Sequence, residues 1–171
     1  MASKAKIIED MKHRILRQNN KFYSWIAGDY HYITDGIRVM RDMEMPETET
    51  SEDAPTFIER MFSDENIVYG VEDAVYMDMD FLKKYLKEHR RPVGMSMGDP
   101  FVIDYKGIKI GVNPWYLRDQ LEYVKDNRLF FRKKNPNRNP ILSISEDYHT
   151  TQALLLPVAL KNVHKIDWRA E

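Results

Sequence analysis

Residues 107–160 read GIKIGVNPWYLRDQLEYVKDNRLFFRKKNPNRNPILSISEDYHTTQALLLPVAL, and the order of patterns in this stretch decides the fold. Apolar alternation at its start and in its second half predicts strands, and helical spacing lies between them. Asn113 is a favourable N-cap residue, and Pro114 suits the first helical position, where its missing N–H costs nothing. The apolar stripe of the predicted helix is Leu117, Leu121 and Val124. The stretch therefore predicts a strand, a helix and three further strands.

The residues before this stretch show related patterns. Helical spacing of apolar residues predicts a helix over 4–19, and aromatic and β-branched residues predict two or three short strands within 22–43. From residue 67 onward, a strand, the helix DFLKKYLKEHR and the strands PVGMSM and PFVIDY are predicted. Helices that alternate with pairs of strands in this way are typical of an α+β fold. We therefore expect an antiparallel sheet with helices packed on one face.

An acidic segment divides the chain. Residues 44–56, EMPETETSEDAPT, carry five acidic residues, two prolines and almost no apolar side chains, which is typical of an exposed linker. After it, apolar residues at helical spacing over 57–62 predict one or two amphipathic turns that pack on the body. The predicted organisation is an N-terminal helix and β-hairpin unit at 1–45, an acidic linker at 46–66, and a larger domain with a C-terminal tail at 67–171.

Composition limits the classes of function. The 171 residues, 43% of them hydrophobic, suffice for one core or for one core and a half-domain. With 26 basic and 27 acidic side chains the net charge is −1, which excludes a wholly basic nucleic-acid coat but allows a basic face. The absence of cysteine excludes disulfides and thiolate metal sites. No stretch approaches the ~20 apolar residues of a membrane span, and the charged N-terminus does not resemble a signal peptide. We expect a cytoplasmic protein without a membrane partner.

Several short motifs, taken in order, resemble one protein family. In the third helix and the strand before it, the matching positions are Gly111, Asn113, Pro114, Tyr116, Leu117, Asp119 and Leu121. The segments TDGIRV at 34–39, PIL at 140–142 and LLPV at 155–158 match further motifs of the family. Together they make the chain similar to the bacterial DNA polymerase sliding clamp, the β subunit that gives the replicative polymerase its processivity. The resemblance is best to the C-terminal clamp domain, and it implies a sliding-clamp-like form of the α+β fold.

The resemblance implies a non-enzymatic role in DNA replication. Clamps encircle double-stranded DNA, and the helices that line the ring touch its phosphate backbone without reading bases. The end of their last strand helps to form a pocket for peptides of polymerase and other partners. This chain supplies three helices where a family ring has about twelve, so a homo-oligomer of about four copies is expected. We expect a DNA-binding clamp, encoded by a phage or another mobile element, that needs neither a cofactor nor a metal.

Two sets of residues are candidates for these contacts. Basic side chains on the second and third helices point away from the apolar stripes, where they are able to displace counterions from phosphates. This DNA-binding set is Lys83, Lys84, Lys87, Arg90, Arg91, Arg118 and Lys125. The candidate groove for a peptide of a replication protein or a host protein is Trp115, Tyr116, Leu155, Leu156, Pro157 and Val158. A second basic cluster, interpreted as a solvated strand and turn, is Arg128, Arg132, Lys133, Lys134 and Arg138.

Two other functions are compatible with the sequence. One keeps the clamp fold as a protein-interaction module or inhibitor that does not bind DNA, which the near-zero net charge and the eleven residues after Leu160 favour. The other is a small nucleotide-processing enzyme that holds a metal ion with Asp78 and Asp80. Helix capping explains both aspartates, and the chain has no phosphate-binding loop, no histidine pair at metal-ligand spacing and no nucleophile motif. No catalytic residue is therefore predicted.

Overall fold

A computed structural model describes residues 3–18, 21–46, 48–89, 99–147, 150–160 and 164–170. Its helices are α1 (Lys4–Gln18), α2 (Asp64–Ile67), α3 (Met79–Glu88) and α4 (Pro114–Val124), with a 3₁₀ helix over Thr56–Phe62. Its strands are β1 (Tyr23–Ala27), β2 (Tyr30–Thr34), β3 (Arg38–Asp42), β4 (Val75–Tyr76), β5 (Phe101–Tyr105), β6 (Ile108–Val112), β7 (Arg128–Leu129), β8 (Ile141–Ile144), β9 (Thr151–Leu155) and β10 (Trp168–Ala170). The fold is α+β, as the sequence predicted.

Most of the predicted elements are present. The helices α1, α3 and α4 and the strands β1 to β3 lie where the apolar spacing placed them. Asn113 caps α4, because its side-chain oxygen accepts hydrogen bonds from the N–H groups of Trp115 and Tyr116 at 3.0 and 3.1 Å. The predicted strand PVGMSM lies outside the described residues. The strand predicted over NRLFFRKK is shorter, because only Arg128–Leu129 form β7 and isolated bridges follow it.

The largest sheet combines strands from the N-terminal and the C-terminal parts of the chain. Its five strands run in the order β1-β2-β3-β9-β8, and every neighbouring pair is antiparallel. In its centre β3 pairs with β9, so that Val39 lies opposite Leu154. The sheet therefore spans the predicted boundary between residues 1–45 and residues 67–171, and strands from both parts share a core.

Both faces of this sheet are buried. On one face Ile33, Met40 and Ala153 pack with apolar residues of α1 and α4. On the other face Leu154 and its neighbours pack against the 3₁₀ helix, which confirms the amphipathic turns predicted for 57–62. The long helices α1 and α4 thus share one face of the sheet, while the 3₁₀ helix covers the other face.

A second core lies between α3, α4 and the β5–β6 hairpin. Leu82, Tyr85 and Leu86 of α3 pack there with Phe101 and other residues of β5. The helix α4 contacts both α3 and α1. The tail adds β10, which pairs in parallel with β5, and β4 pairs with β7. The helices α3 and α4 are thus in direct contact, and we call this pair the helical layer.

Candidate partner-binding site

An apolar cavity of about 350 Å³ opens where three segments meet. These segments are the turn between β2 and β3, the 3₁₀ helix with the residues before it, and the end of β9. Its apolar lining includes Ile37, Val39, Pro55, Phe57, Ile58, Met61, Leu154 and Leu156. Phe57 is 70% exposed and Leu156 is 39% exposed, so large apolar side chains meet solvent at the mouth. Concave apolar surface of this kind is typical of binding sites.

Side-chain hydrogen bonds hold the β2–β3 turn, which forms one wall of the cavity. The Thr34 hydroxyl donates to the carbonyl of Arg38 at 2.8 Å and accepts from the N–H of Gly36 at 3.1 Å. Asp35 Oδ1 accepts from the N–H groups of Ile37 and Arg38, at 3.0 and 2.7 Å. Gly36 has a φ of +88°, in the left-handed region that favours glycine. Each residue of the TDG motif therefore stabilises the conformation of this turn.

The end of β9 is fastened to this turn. The N–H of Leu156 donates to the carbonyl of Ile37 at 2.9 Å, next to the last pair of the β3–β9 ladder. Farther along, the N–H of Val158 donates to the carbonyl of Gly111 in β6 at 2.8 Å. The motifs TDGIRV and LLPV, far apart in the chain, are therefore neighbours at one cavity.

Arg38 connects the cavity wall to α4 through the protein interior. Its side chain is fully buried, and its Nε donates to Asp35 Oδ2 at 2.9 Å. Its Nη1 lies 3.5 Å from Asp119 Oδ2, and its guanidinium lies 3.8 Å from the centre of the Tyr116 ring. A buried cation needs such partners, because desolvation costs several kcal/mol. All four of these residues belong to the motifs that resemble clamp sequences. The sequence did not predict that they contact each other in one network.

The structure places the six predicted groove residues in different environments. Trp115 and Tyr116 in the first turn of α4 are buried in a hydrophobic core, and Leu155 at the end of β9 is buried in the same core. Leu156 lines the apolar cavity, and the two residues after it are half-buried. Most of the cavity wall comes instead from the β2–β3 turn and the 3₁₀ helix, which sequence reasoning did not assign to the groove. The TDG turn, already noted in the resemblance, was the signal that could have located this wall.

Four of the basic DNA-binding candidates are exposed in the helical layer. Lys83, Lys84 and Lys87 project from α3, and Lys125 ends α4 in a left-handed conformation. Lys83 and Lys125 line one shallow cleft between the two helices, together with the acidic residues Glu122 and Asp126. The structure therefore brings these two lysines together, in a cleft that basic and acidic side chains both line.

The remaining candidates of the DNA-binding set differ from these lysines. Arg118 is half-buried on α4, and its guanidinium donates to Asp119 at 3.2 Å, beside the buried Arg38 network. An arginine that is already paired in this way offers less of its charge to a phosphate. Arg90 and Arg91 lie outside the described residues.

The two aspartates considered for metal chemistry lie at the start of α3. Asp78 Oδ1 accepts a hydrogen bond from the N–H of Phe81 at 3.0 Å, which confirms its capping role. Asp80 is exposed in the first helical turn, where a negative charge interacts favourably with the helix dipole. In the described ranges, no group of three or more His, Cys, Asp or Glu side chains is arranged to hold a metal ion.

A polar cluster attaches the acidic segment to the edge of the large sheet. His31 Nε2 lies 2.6 Å from Ser24 Oγ and 2.8 Å from Thr48 Oγ1. The N–H of Ser51 donates to the carbonyl of Ser24 at 2.7 Å, so this segment covers part of the outer edge of β1. Burial lowers the pKa of His31, and the carboxylate of Asp42 opposes part of this shift. Ser24 is fully buried, so its pairing with a histidine does not make it an accessible nucleophile.

Comparison of the chain with protein-family profiles, with curated proteins and with solved structures finds no match. As for membranes, none of the helices in the described part of the chain has the length and apolar character that a crossing requires. The apolar cavity and the helical layer are therefore the features of the described residues that bear on function.

Proposed function

We propose that this chain is a non-enzymatic, sliding-clamp-like protein that receives a peptide segment of a replication or host partner in the apolar cavity. The observation that carries the proposal is the meeting of TDGIRV and LLPV at this cavity, through the hydrogen bond from Leu156 to Ile37. In clamps the end of the last strand helps to form the pocket for partner peptides. The position of the cavity agrees with that arrangement.

The cavity suits one or two apolar anchor side chains of a peptide. Its volume of about 350 Å³ is near the lower end of the ~300–1,000 Å³ that is typical of ligand pockets. Each Leu, Phe or Met anchor that leaves water contributes about 1.5–3 kcal/mol. Ordering the peptide offsets part of this gain, so we expect an affinity in roughly the micromolar range.

Fluorescence anisotropy tests the proposal with a labelled peptide from the clamp-binding segment of a bacterial replicative polymerase. We expect saturable binding to the wild type and a loss of roughly tenfold or more for Leu156→Asp, because this carboxylate would have to be desolvated against apolar walls. Val68→Asp is the matched control, since Val68 is also exposed and apolar but does not line the cavity. Equal binding by all three proteins, or no binding by the wild type, would contradict the proposal.

Contact with DNA through the helical layer is the second part of the proposal. The exposed lysines of α3 and Lys125 of α4 support it, because the two helices are in contact and carry these amines on one layer. Such amines contact phosphates without reading bases, so binding should weaken steeply as salt is raised. Encirclement of a duplex would need several copies of the chain. A light-scattering mass equal to one chain at micromolar concentration would exclude the ring.

Duplex DNA binding at low salt tests the helical layer. We expect the variant Lys83→Glu/Lys87→Glu/Arg91→Glu to lose binding, because each change replaces attraction to a phosphate by repulsion. The control is Lys106→Glu/Lys109→Glu on the β5–β6 hairpin, which alters exposed lysines outside the helices. Passage of the wild type through heparin and DNA resins, with peptide binding intact, would favour the alternative of an interaction module or inhibitor that does not bind DNA.

A further inference from the structure

A second depression adjoins the apolar cavity. It lies between the α2 segment and the hairpin that follows β7, and we call it the basic cleft. Its polar lining includes Asn66, Tyr69, Arg132, Lys133, Lys134 and Asn139. Met61 and Pro140 line both the basic cleft and the apolar cavity, so these two residues form the boundary that the depressions share.

Positive charge predominates in the basic cleft. Three of its lining side chains are cationic, and Glu65 is the one carboxylate among the described residues that line it. Lys133 and Lys134 are exposed, and in the described ranges neither ammonium forms an ion pair with a carboxylate. The whole chain has balanced charge, so this local excess is not a consequence of composition. A concave surface with one sign of charge attracts ligands of the opposite sign.

Backbone contacts hold the walls of the basic cleft together. The N–H of Lys133 donates to the carbonyl of Gly70 at 3.0 Å. A Cβ on Gly70 would lie 2.9 Å from two backbone oxygens, so the close approach at this position favours glycine. On the hairpin, the side-chain amide of Asn139 donates to the carbonyl of Lys134 at 2.8 Å. The two lysines are therefore presented by hydrogen-bonded backbone, which lowers the cost of ordering them on binding.

The acidic segment of the same chain does not neutralise the basic cleft. Ser51 is bonded to Ser24 at the outer edge of β1, and the carboxylate of Asp53 lies 3.8 Å from Lys21. None of the described acidic residues between 44 and 53 lines the cleft. The acidic segment therefore leaves Lys133 and Lys134 available to acidic groups of another molecule.

We propose that the basic cleft selects partner segments that carry acidic side chains beside the apolar anchor. This inference rests on the proposed function, because the anchor in the cavity brings the acidic residues within reach. A peptide that leaves the cavity past Met61 and Pro140 enters the basic cleft. Tyr69, which is 71% exposed, adds a hydroxyl donor for a carboxylate. The partner class that fits is an apolar segment flanked by Asp or Glu residues.

Matched peptides test this charge preference by fluorescence anisotropy. The polymerase-derived peptide is extended at either end by a short run of Asp or by the same run of Asn, which has similar size and no charge. At low salt we expect the better Asp version to bind roughly 2- to 30-fold more tightly than its Asn counterpart, as two exposed ion pairs would give. The ratio should approach one at ~1 M salt, where charges act over only ~3 Å.

Variants of the basic cleft assign the preference to it. Lys133→Glu/Lys134→Glu is expected to invert the ratio, and the milder Lys133→Gln/Lys134→Gln to bring it close to one. The control Lys106→Glu/Lys109→Glu makes the same change of charge on exposed lysines that line neither depression, and it should keep the wild-type ratio. Thermal melts by circular dichroism verify that each variant is folded.

The outcomes separate this inference from the proposed function. Equal affinity for the Asp and Asn peptides, with binding still lost in Leu156→Asp, overturns the inference and leaves the proposed function intact. No binding of any of the peptides overturns both. If the lysine variants instead lose binding to a single-stranded oligothymidine while the peptide ratio is unchanged, the basic cleft is a nucleic-acid site and the inference is wrong.

Discussion

Replacing Arg38 with methionine should destabilise this protein much more than removing an exposed ion pair of similar length. Methionine keeps an unbranched apolar chain in the space of the arginine stem and removes the guanidinium. The carboxylate of Asp35, only 4% exposed, then loses its cation, while Asp119 keeps its contact with Arg118. The contact of the guanidinium with the Tyr116 ring is lost as well.

The burial of the pair sets the expected size of the effect. Removing one partner of a buried ion pair costs about 3–5 kcal/mol, because the other charge stays desolvated without compensation. Domains of this size lose about 2–4 °C in Tm for each kcal/mol, so the melting temperature should fall by roughly 6–20 °C. Since total stabilities are about 5–15 kcal/mol, the variant keeps about 0–12 kcal/mol and is folded at room temperature over most of this range.

Arg169→Met is the matched control for this prediction. Arg169 lies 3.0 Å from Asp104, close to the 2.9 Å between Arg38 and Asp35, but its side chain is 69% exposed. Exposed pairs contribute about 0.2–1 kcal/mol, since water screens the charges. Urea unfolding of both variants measures the difference, and Arg38→Met/Asp35→Asn should recover part of the loss. Equal costs for Arg38→Met and Arg169→Met would refute the claim that the buried network stabilises the turn.

Three other predictions concern Gly70, His31 and Asn113. Gly70→Ala should lower the free energy of unfolding, measured in urea, by about 1–3 kcal/mol, because the added Cβ would press on the backbone oxygens of Glu65 and Asn66. An unaltered free energy of unfolding would contradict this close approach. The lowered pKa of His31 means that the unfolded chain takes up the proton first as pH falls below ~6.5, so its contribution to stability is present at neutral pH and lost on acidification. His31→Gln should flatten that part of the stability–pH curve, and a curve parallel to the wild type would count against this role. Asn113→Ala should cost about 0.5–2 kcal/mol in the same urea assay, since two N–H groups at the start of α4 lose their acceptor; no change would mean that water replaces the cap.

Local signals in the sequence sufficed to predict α4 and the turn beside the cavity. Asn113 and Pro114 mark the start of the helix because capping and a missing N–H are properties of single residues. The left-handed Gly36 marks the turn for a similar reason. The role of Arg38 depends instead on Asp119, a residue far along the chain, and no local pattern contains that information.

Hydrophobic periodicity did not suffice to predict which residues line the groove. A helix on a sheet is expected to bury apolar residues, but the polar Gln120 of α4 is also buried, because its side-chain amide donates to the carbonyl of Ile141 and to Ser143 Oγ in β8. Trp115 and Tyr116 are buried in the hydrophobic core, so they are not available to a partner. The strand β10 was missed for another reason, since Trp168–Ala170 is short and pairs in parallel with β5, a contact between distant residues. Lys133 and Lys134 carried no positional signal before the hairpin placed them beside the cavity.

An apolar cavity with an open mouth tends to close, because contact between its walls removes apolar surface from water. Covering each large side chain at the mouth, such as Phe57 or Leu156, would contribute at most about 1.5–3 kcal/mol. Closure by movement of the β2–β3 turn would break the Leu156–Ile37 hydrogen bond and disturb the buried Arg38 network, at a cost of about 3–5 kcal/mol for the ion pair alone. The cost of closure is therefore at least as large as the gain from covering one of these side chains. The Leu156–Ile37 hydrogen bond and the buried Arg38 network therefore oppose closure of the cavity.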